Sequence, residues 1–389
     1  MARKATLAQI FRTDGPAFRQ AHRLPRRHRR VMWAIEHCRT AAMGGHLEAC
    51  DHCDQTRLAY HSCRNRHCPQ CQTINKERWL EARRREILPI RYFHLVFTLP
   101  AQLRPIAFYN QKLIYDLLFH AAAEALLELG EQRLGAELGA IMLLHTWSQQ
   151  LHFHPHTHAI VTGGGLSLDG QQWISSRRNF LLSVRRLSRF FQIKFLAGLK
   201  DAYAAQQLDF WGDSEDLYNE APWQRLLTTL YRQRWVVYAK PADVSARHVL
   251  DYLGRYTNRV ALSNDRIVKF KKGQVTFKWR DSDHGNVIKR MTLQAEEFIR
   301  RFLTNVLPDG FVKIRHYGLL ASRHRNRRLD HCRRLLKVPP PPPPVVKPWY
   351  LLLQQRTGRD PRLCASCHQG RLWPQQRLLP AYNRGPPWR

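Results

Sequence analysis

Six of the nine cysteines in this 389-residue chain fall between Cys38 and Cys71, and that clustering constrains the fold more than any other feature. Two C-x2-C pairs, Cys50/Cys53 and Cys68/Cys71, are separated by fourteen residues. Each pair forms a tight knuckle, and two knuckles can present four thiolates at the corners of a tetrahedron, the arrangement zinc takes. Structural zinc on Cys50, Cys53, Cys68 and Cys71 is therefore expected. Cys38 and Cys63, with His46, His52, His61 and His67, are further candidates for that shell or for a second site. A last pair, Cys364/Cys367, needs partners, with His368 and Cys332 as candidates, or is inert. Paired spacing in a chain without a secretory h-region points to metal binding in a reducing compartment, not to disulfides.

The charge points to the partner. Lys and Arg number 63 against 30 Asp and Glu, a net charge of +33. Such a surface attracts polyanions, nucleic acid first. The hydrophobic content of 44% is enough for a packed core. The most apolar stretch, Leu117 to Leu129, is cut by His120 and Glu124, so no membrane span is expected. Arg64 and Arg66, within the cysteine cluster, are candidate DNA contacts.

The pattern is α+β. Strands are expected near residues 91–99, 150–162, 234–239, 266–270, 274–279 and 287–293. Helices are expected near 73–88, 105–129, 178–208, 221–231, 243–258 and 294–306. Residues 1–36 look like a basic arm, 37–88 a zinc-binding domain, and 89–320 a catalytic domain. Residues 321–389 form a basic tail with six consecutive prolines acting as a spacer. Gly163, Gly164 and Gly165 look like a turn closing the strand over 150–162.

That strand carries His152, His154, His156 and His158 at alternate positions, so all four share one face. Pairs of imidazoles on a rigid strand can bind a divalent metal and leave open positions for substrate; a second structural zinc site is the alternative. Pro155 marks an edge or a bulge. Tyr252 and Tyr256 are four residues apart and share a helix face, with Arg255 and Arg259 beside them. Alone they would be a core stripe. Beside a bound metal they are competent nucleophiles toward a phosphodiester.

Together these motifs resemble the HUH endonucleases, and within them the rolling-circle, two-tyrosine transposases of the insertion-sequence ninety-one family. The resemblance runs over about residues 30 to 325. It rests on Ser-Cys-Arg-Asn-Arg-His-Cys-Pro at 62–69, His-Leu-Val-Phe-Thr-Leu-Pro at 94–100 and Leu-His-Thr-Trp at 144–147. It rests also on His-Pro-His-Thr-His-Ala-Ile-Val before the three glycines, Tyr-Leu-Gly-Arg-Tyr-Thr at 252–257 and Arg-His-Tyr-Gly-Leu-Leu at 315–320. It implies an N-terminal zinc-binding module followed by a ferredoxin- or RRM-like antiparallel sheet with helices. It makes His156 and His158 the metal pair, Tyr252 and Tyr256 the nucleophiles, and Mg2+ or Mn2+ the catalytic ion. His154 and Asn258 are candidates for a third ligand. Two positions depart from the family pattern: Thr157 replaces a bulky apolar residue, and Asn258 stands where histidine is common. The implied activity is cleavage and rejoining of single-stranded or hairpin DNA at element ends, in the cytoplasm of a bacterium. A water-using nuclease and a zinc-stapled DNA-binding protein are the competing readings.

Overall fold

A computed structural model describes residues 5–242, 254, 261–281, 284–343 and 347–381. Antiparallel sheets and helices make up a mixed α/β structure, as the α+β pattern implies.

The central sheet is built on β3 (Tyr92–Thr98), β4 (Ala136–Trp147) and β5 (Phe153–Ser167), with β7 (Val237–Ala242) and β11 (Ile314–Gly318) outside them. The strand order is β11-β4-β5-β3-β7, and β6 (Trp173–Ser175) pairs with β5. One face is largely apolar: Phe93, Leu95, Phe97, Met142, Leu144, Ala159 and Val161 pack under two long helices, α5 (Gln111–Leu134) and α6 (Val184–Ala204). On the opposite face Ile141, Leu143 and Ile160 are buried with Leu80 of α3 (Gln72–Arg84) and with Leu329 and Cys332 of α9 (Arg325–Leu335). The histidines of β5 share this second face, because residue alternation puts His156 and His158 beside Ile160.

Strand β5 is internal, flanked on both sides, so Pro155 does not mark an edge. The other expectation for that proline fits better: the β4–β5 register shifts between His145 and Trp147, opposite the proline-containing stretch. The three glycines are not a turn either. Strand β5 runs through them to Ser167, because only hydrogen fits: a Cβ on Gly165 would stand 2.3 Å from the Glu137 carbonyl oxygen, and one on Gly163 2.7 Å from that of Arg91.

The segment read as a basic arm is two packed helices, α1 (Leu7–Ala21) and α2 (Arg26–His37). Their apolar residues, Leu7, Ile10, Phe11, Val31, Met32 and Ile35, fall at helical spacing between the arginines and are buried. They pack against α8 (Ala295–Thr304) and the meander β8 (Ile267–Lys271), β9 (Gln274–Asp281), β10 (Val287–Gln294). The Phe11 and Phe302 rings meet edge to face at 5.4 Å, an arrangement worth about 1 kcal/mol beyond its buried area.

A third sheet joins the two ends of the chain. The hairpin of β1 (Gly45–Cys50) and β2 (Thr56–Tyr60) takes β12 (Leu372–Leu378) as its third strand, in the order β12-β1-β2. Among the described residues no helix is long and apolar enough to cross a membrane.

Candidate metal centres

The six N-terminal cysteines divide between two clusters, not one. Cys38, Cys63, Cys68 and Cys71 bring their sulfurs within 4.8 Å of one another; Cys50 and Cys53 do the same with Cys364 and Cys367. The two C-x2-C pairs expected to share one zinc therefore belong to different sites. The reason is topological: Cys50 and Cys53 sit at the tip of the β1–β2 hairpin, whereas Cys68 and Cys71 lead into α3. Neither His46, His52, His61 and His67 nor His368 and Cys332 enter a cluster among the described residues. Cys332 is buried under the central sheet.

The first cluster is set in the core. Cys38 follows the last turn of α2, and Cys71 caps the N-terminus of α3, whose dipole favours negative charge there. Cys63 and Cys71 sulfurs are 3.7 Å apart, and the Cys63 N–H donates to Cys38 Sγ at 3.5 Å. Hydrogen bonds from Cys63, Cys68 and Cys71 push the Cys38 thiol far below its usual range, and the same contacts push the Cys63 and Cys68 thiols up. Arg66 beside it is committed to the fold, donating to the Phe311 carbonyl at 2.6 Å, while Arg64 is exposed.

The third cluster is histidine. His145 of β4 joins His156 and His158 of β5, with ring nitrogens within 4.8 Å of one another. His145 pairs directly with His156 across the strands, so the two share a face. His145 and His158 are buried, and His156 is half-buried. The His156 Nδ1–H donates to the His154 carbonyl oxygen at 2.7 Å, which fixes the tautomer and leaves Nε2 as the electron-pair donor. His94 of β3 meets His158 ring to ring, Nε2 to Nδ1, at 3.0 Å. Burial, then Lys240, pushes His94 down to about 4, so the His94 ring is uncharged at neutral pH. Three imidazoles on one sheet face, two of them held by a further acceptor or ring, fit a divalent transition-metal ion.

The upper half of the histidine ladder does other work. Arg104 donates to His154 Nδ1 at 3.3 Å, and Arg301 donates to His152 Nε2 at 2.7 Å. His154 is not part of the cluster, whose third histidine is His145. The sequence shows His145 only as part of Leu-His-Thr-Trp, and nothing local to that motif marks it as a ligand. Arg104, Arg300, Arg301 and His152 line a cavity of about 240 Å3 at that end of the strand. Tyr252, Arg255, Tyr256, Asn258 and Arg259 lie outside the described residues. Gly254, between the tyrosines, is described and buried: a Cβ there would stand 2.8 Å from Leu80 Cδ1.

A zinc-binding module joined to an antiparallel sheet with a histidine cluster on one face is the class this architecture defines, and similarity to known proteins gives the family. A family model described as "Transposase zinc-binding domain" matches residues 10–99, and one described as "Putative transposase" matches residues 139–328. The chain is 48% identical over 372 residues to "Putative transposase y4qJ" of Sinorhizobium fredii, covering 94% of each. It is 28% identical over 292 residues to the "Transposase for insertion sequence element IS801" of Pseudomonas savastanoi pv. phaseolicola, covering 74% of this chain and 68% of the other. The chain belongs to the IS91-type family of insertion-sequence transposases.

Proposed function

We propose that this transposase cuts and rejoins single-stranded DNA at the ends of its element by attack of a tyrosine on phosphorus. The observation that carries this reading is the convergence of His145, His156 and His158 on one face of the sheet. A divalent metal bound there supplies Lewis acidity to the scissile phosphate. Mg2+ and Mn2+ both favour oxygen ligands; of the two, manganese is the transition metal and the softer partner for imidazole nitrogen.

Tyr252 and Tyr256 are the proposed nucleophiles. The attacking phenolic oxygen bonds to phosphorus as the bond to the 3′ oxygen breaks. The phenol gives up its proton and the departing oxygen takes one up, leaving a 5′-phosphotyrosine and a 3′-hydroxyl. Rejoining is the reverse attack by a 3′-hydroxyl and needs no external energy, because the phosphotyrosine keeps the ester bond. Two tyrosines permit two successive transfers, the requirement of rolling-circle movement. Gly254 supports this assignment. It packs on Leu80, which shares a buried cluster with Leu143 and Ile160 on the histidine face.

His152, His154, Arg104 and Arg301 are proposed to hold the DNA backbone, with Arg64, Arg255 and Arg259 adding phosphate contacts that are mostly blind to sequence. The substrate is single-stranded or hairpin DNA, met at the bacterial nucleoid.

The test is an adduct assay. The protein is incubated with labelled single-stranded oligonucleotides from element ends and manganese, then run on a denaturing gel. A labelled band at protein mass, lost with EDTA and with Tyr252→Phe/Tyr256→Phe, is expected. Cleaved product with no protein-linked band would replace this reading with a nuclease using water.

A further inference from the structure

Cys364 and Cys367 lie beyond the residues matched by either family model, with Cys364 standing 311 positions after Cys53 in the chain, yet they complete a four-sulfur cluster with Cys50 and Cys53. We propose that Cys50, Cys53, Cys364 and Cys367 bind a second zinc ion, which clamps the C-terminal segment onto the N-terminal zinc-binding module.

The spacing is that of a metal site. Four sulfurs each ~2.3 Å from one zinc stand about 3.8 Å apart. Cys50 and Cys367 sulfurs are 3.8 Å apart, as are those of Cys53 and Cys364. A disulfide would need about 2.05 Å between a given pair. The same distance recurring across two pairs, with all four atoms mutually close, fits one central ion instead.

The backbone around the cluster is built for thiolates. The His52 N–H points at Cys50 Sγ at 3.4 Å, and the Gly370 N–H at Cys367 Sγ at 3.3 Å. These equivalent interactions, one in each knuckle, donate to sulfurs that carry charge when metal is bound. Gly370 has no room for a side chain: its Cβ would stand 2.4 Å from Cys50 Sγ and 2.6 Å from His52 Cβ. The two knuckles thus approach as closely as a glycine allows.

Strand pairing and side chains lock the same junction. Strand β12 runs antiparallel to β1 over its length, so each knuckle sits at the end of one of two paired strands. Asp51, between Cys50 and Cys53, accepts from the Arg371 N–H at 2.7 Å and from Trp373 Nε1 at 3.1 Å. The arm that carries Cys364 and Cys367 first crosses α3. Lys347 pairs with Glu81 at 3.3 Å and Arg356 with Glu77 at 2.7 Å, and Arg85 donates to the Pro342 carbonyl at 2.9 Å. The clamp therefore holds an outer cover on α3, the helix whose Leu80 lies against the histidine face. A three-stranded sheet with two cysteine knuckles is a zinc ribbon assembled from both ends of the chain.

The test counts zinc in the full chain. A mercurial reagent displaces only thiolate-bound zinc, so the histidine site does not enter the count. Wild-type protein should release two equivalents per chain; one equivalent would overturn the proposal without any variant. Cys364→Ser/Cys367→Ser and Cys50→Ser/Cys53→Ser should each release one, and the fourfold variant also one, because the two pairs share an ion. A fourfold variant that releases none while each double variant keeps one would mean separate sites and would overturn the proposal. In cobalt-substituted protein the thiolate-to-cobalt charge-transfer band should fall to about half in Cys364→Ser/Cys367→Ser, since four of eight thiolates leave the metals. An unchanged band would sink the idea even if zinc counts were disturbed by misfolding elsewhere.

Discussion

His94 Nε2 and His158 Nδ1 stand 3.0 Å apart across neighbouring strands, His158 a buried member of the histidine triad and His94 just outside it. Their planes are 12° from parallel, so His94 fixes the tilt of His158. It is a positioning residue: it acts on the proposed metal through the ring it orients. His94→Ala should weaken manganese binding roughly 10- to 100-fold, the usual cost of removing a group that orients a metal ligand. Titration calorimetry checks this, and His94→Asn, which keeps a hydrogen-bonding group, should recover part of the affinity. Unchanged affinity in a folded His94→Ala protein would refute the positioning role.

The ladder of four histidines divides at its middle. His145→Ala, His156→Ala and His158→Ala should each abolish manganese binding and adduct formation. His154→Ala should bind manganese nearly as wild type does, because His154 is occupied with Arg104. A His154→Ala protein that loses metal while His145→Ala retains it would reverse the ligand assignment.

Arg104 borders the cavity that also takes Arg300 and Arg301. Arg300 and Arg301 already pair with Glu297, which lies well below the usual carboxylate range at about 2 because both guanidinium groups hydrogen-bond to it. Arg104 donates to a neutral histidine instead, so more of its charge is available to a phosphate. Arg104→Ala should weaken single-stranded DNA binding evenly across sequences. The slope of log affinity against log salt should become shallower by about 0.7 for each phosphate that is no longer neutralised. Fluorescence anisotropy at several salt concentrations measures both, and an unchanged slope would remove Arg104 from the DNA path.

Legibility in the sequence depended on whether a residue's partners were local. His156 and His158 were legible because a two-residue period puts them on one face of one strand. His145 was not. It lies near the end of a strand, Ala136–Trp147, whose residues are buried on both faces, so the run Ala-Ile-Met-Leu-Leu has no alternation to mark it as a strand. Helices α1 and α2 were hidden by arginines that sit between their buried positions and dominate the composition. The cysteine pairs were visible as pairs, but spacing cannot say which pairs meet. Cys50 and Cys53 find theirs across the whole chain, through a strand pairing that no local pattern encodes. Gly163–Gly165 read as a turn because glycine serves both turns and crowded strands.

Acid should destabilise the fold through two histidines that belong to none of the metal clusters. His28 and His316 are each pushed down to about 4, in both cases first by burial. Arg27 adds repulsion at His28, and Arg325 and Arg83 at His316. Each has a buried Nε2 with no hydrogen-bond partner, so neither ring gains from taking a proton in the folded state. The unfolded chain protonates them near pH 6.5 and the folded chain only near 4, so the unfolded state binds more protons between those values. Stability is therefore full above about pH 6.5 and falls as pH drops toward 4. At pH 5 each histidine should cost roughly 2 kcal/mol. Urea unfolding at pH 7.5 and pH 5.0 measures the difference. His28→Gln and His316→Gln should each shrink it by about that amount, whatever the substitution costs at neutral pH. A pH span that neither substitution changes would mean that both rings take up their protons over the same pH range in the folded and unfolded protein.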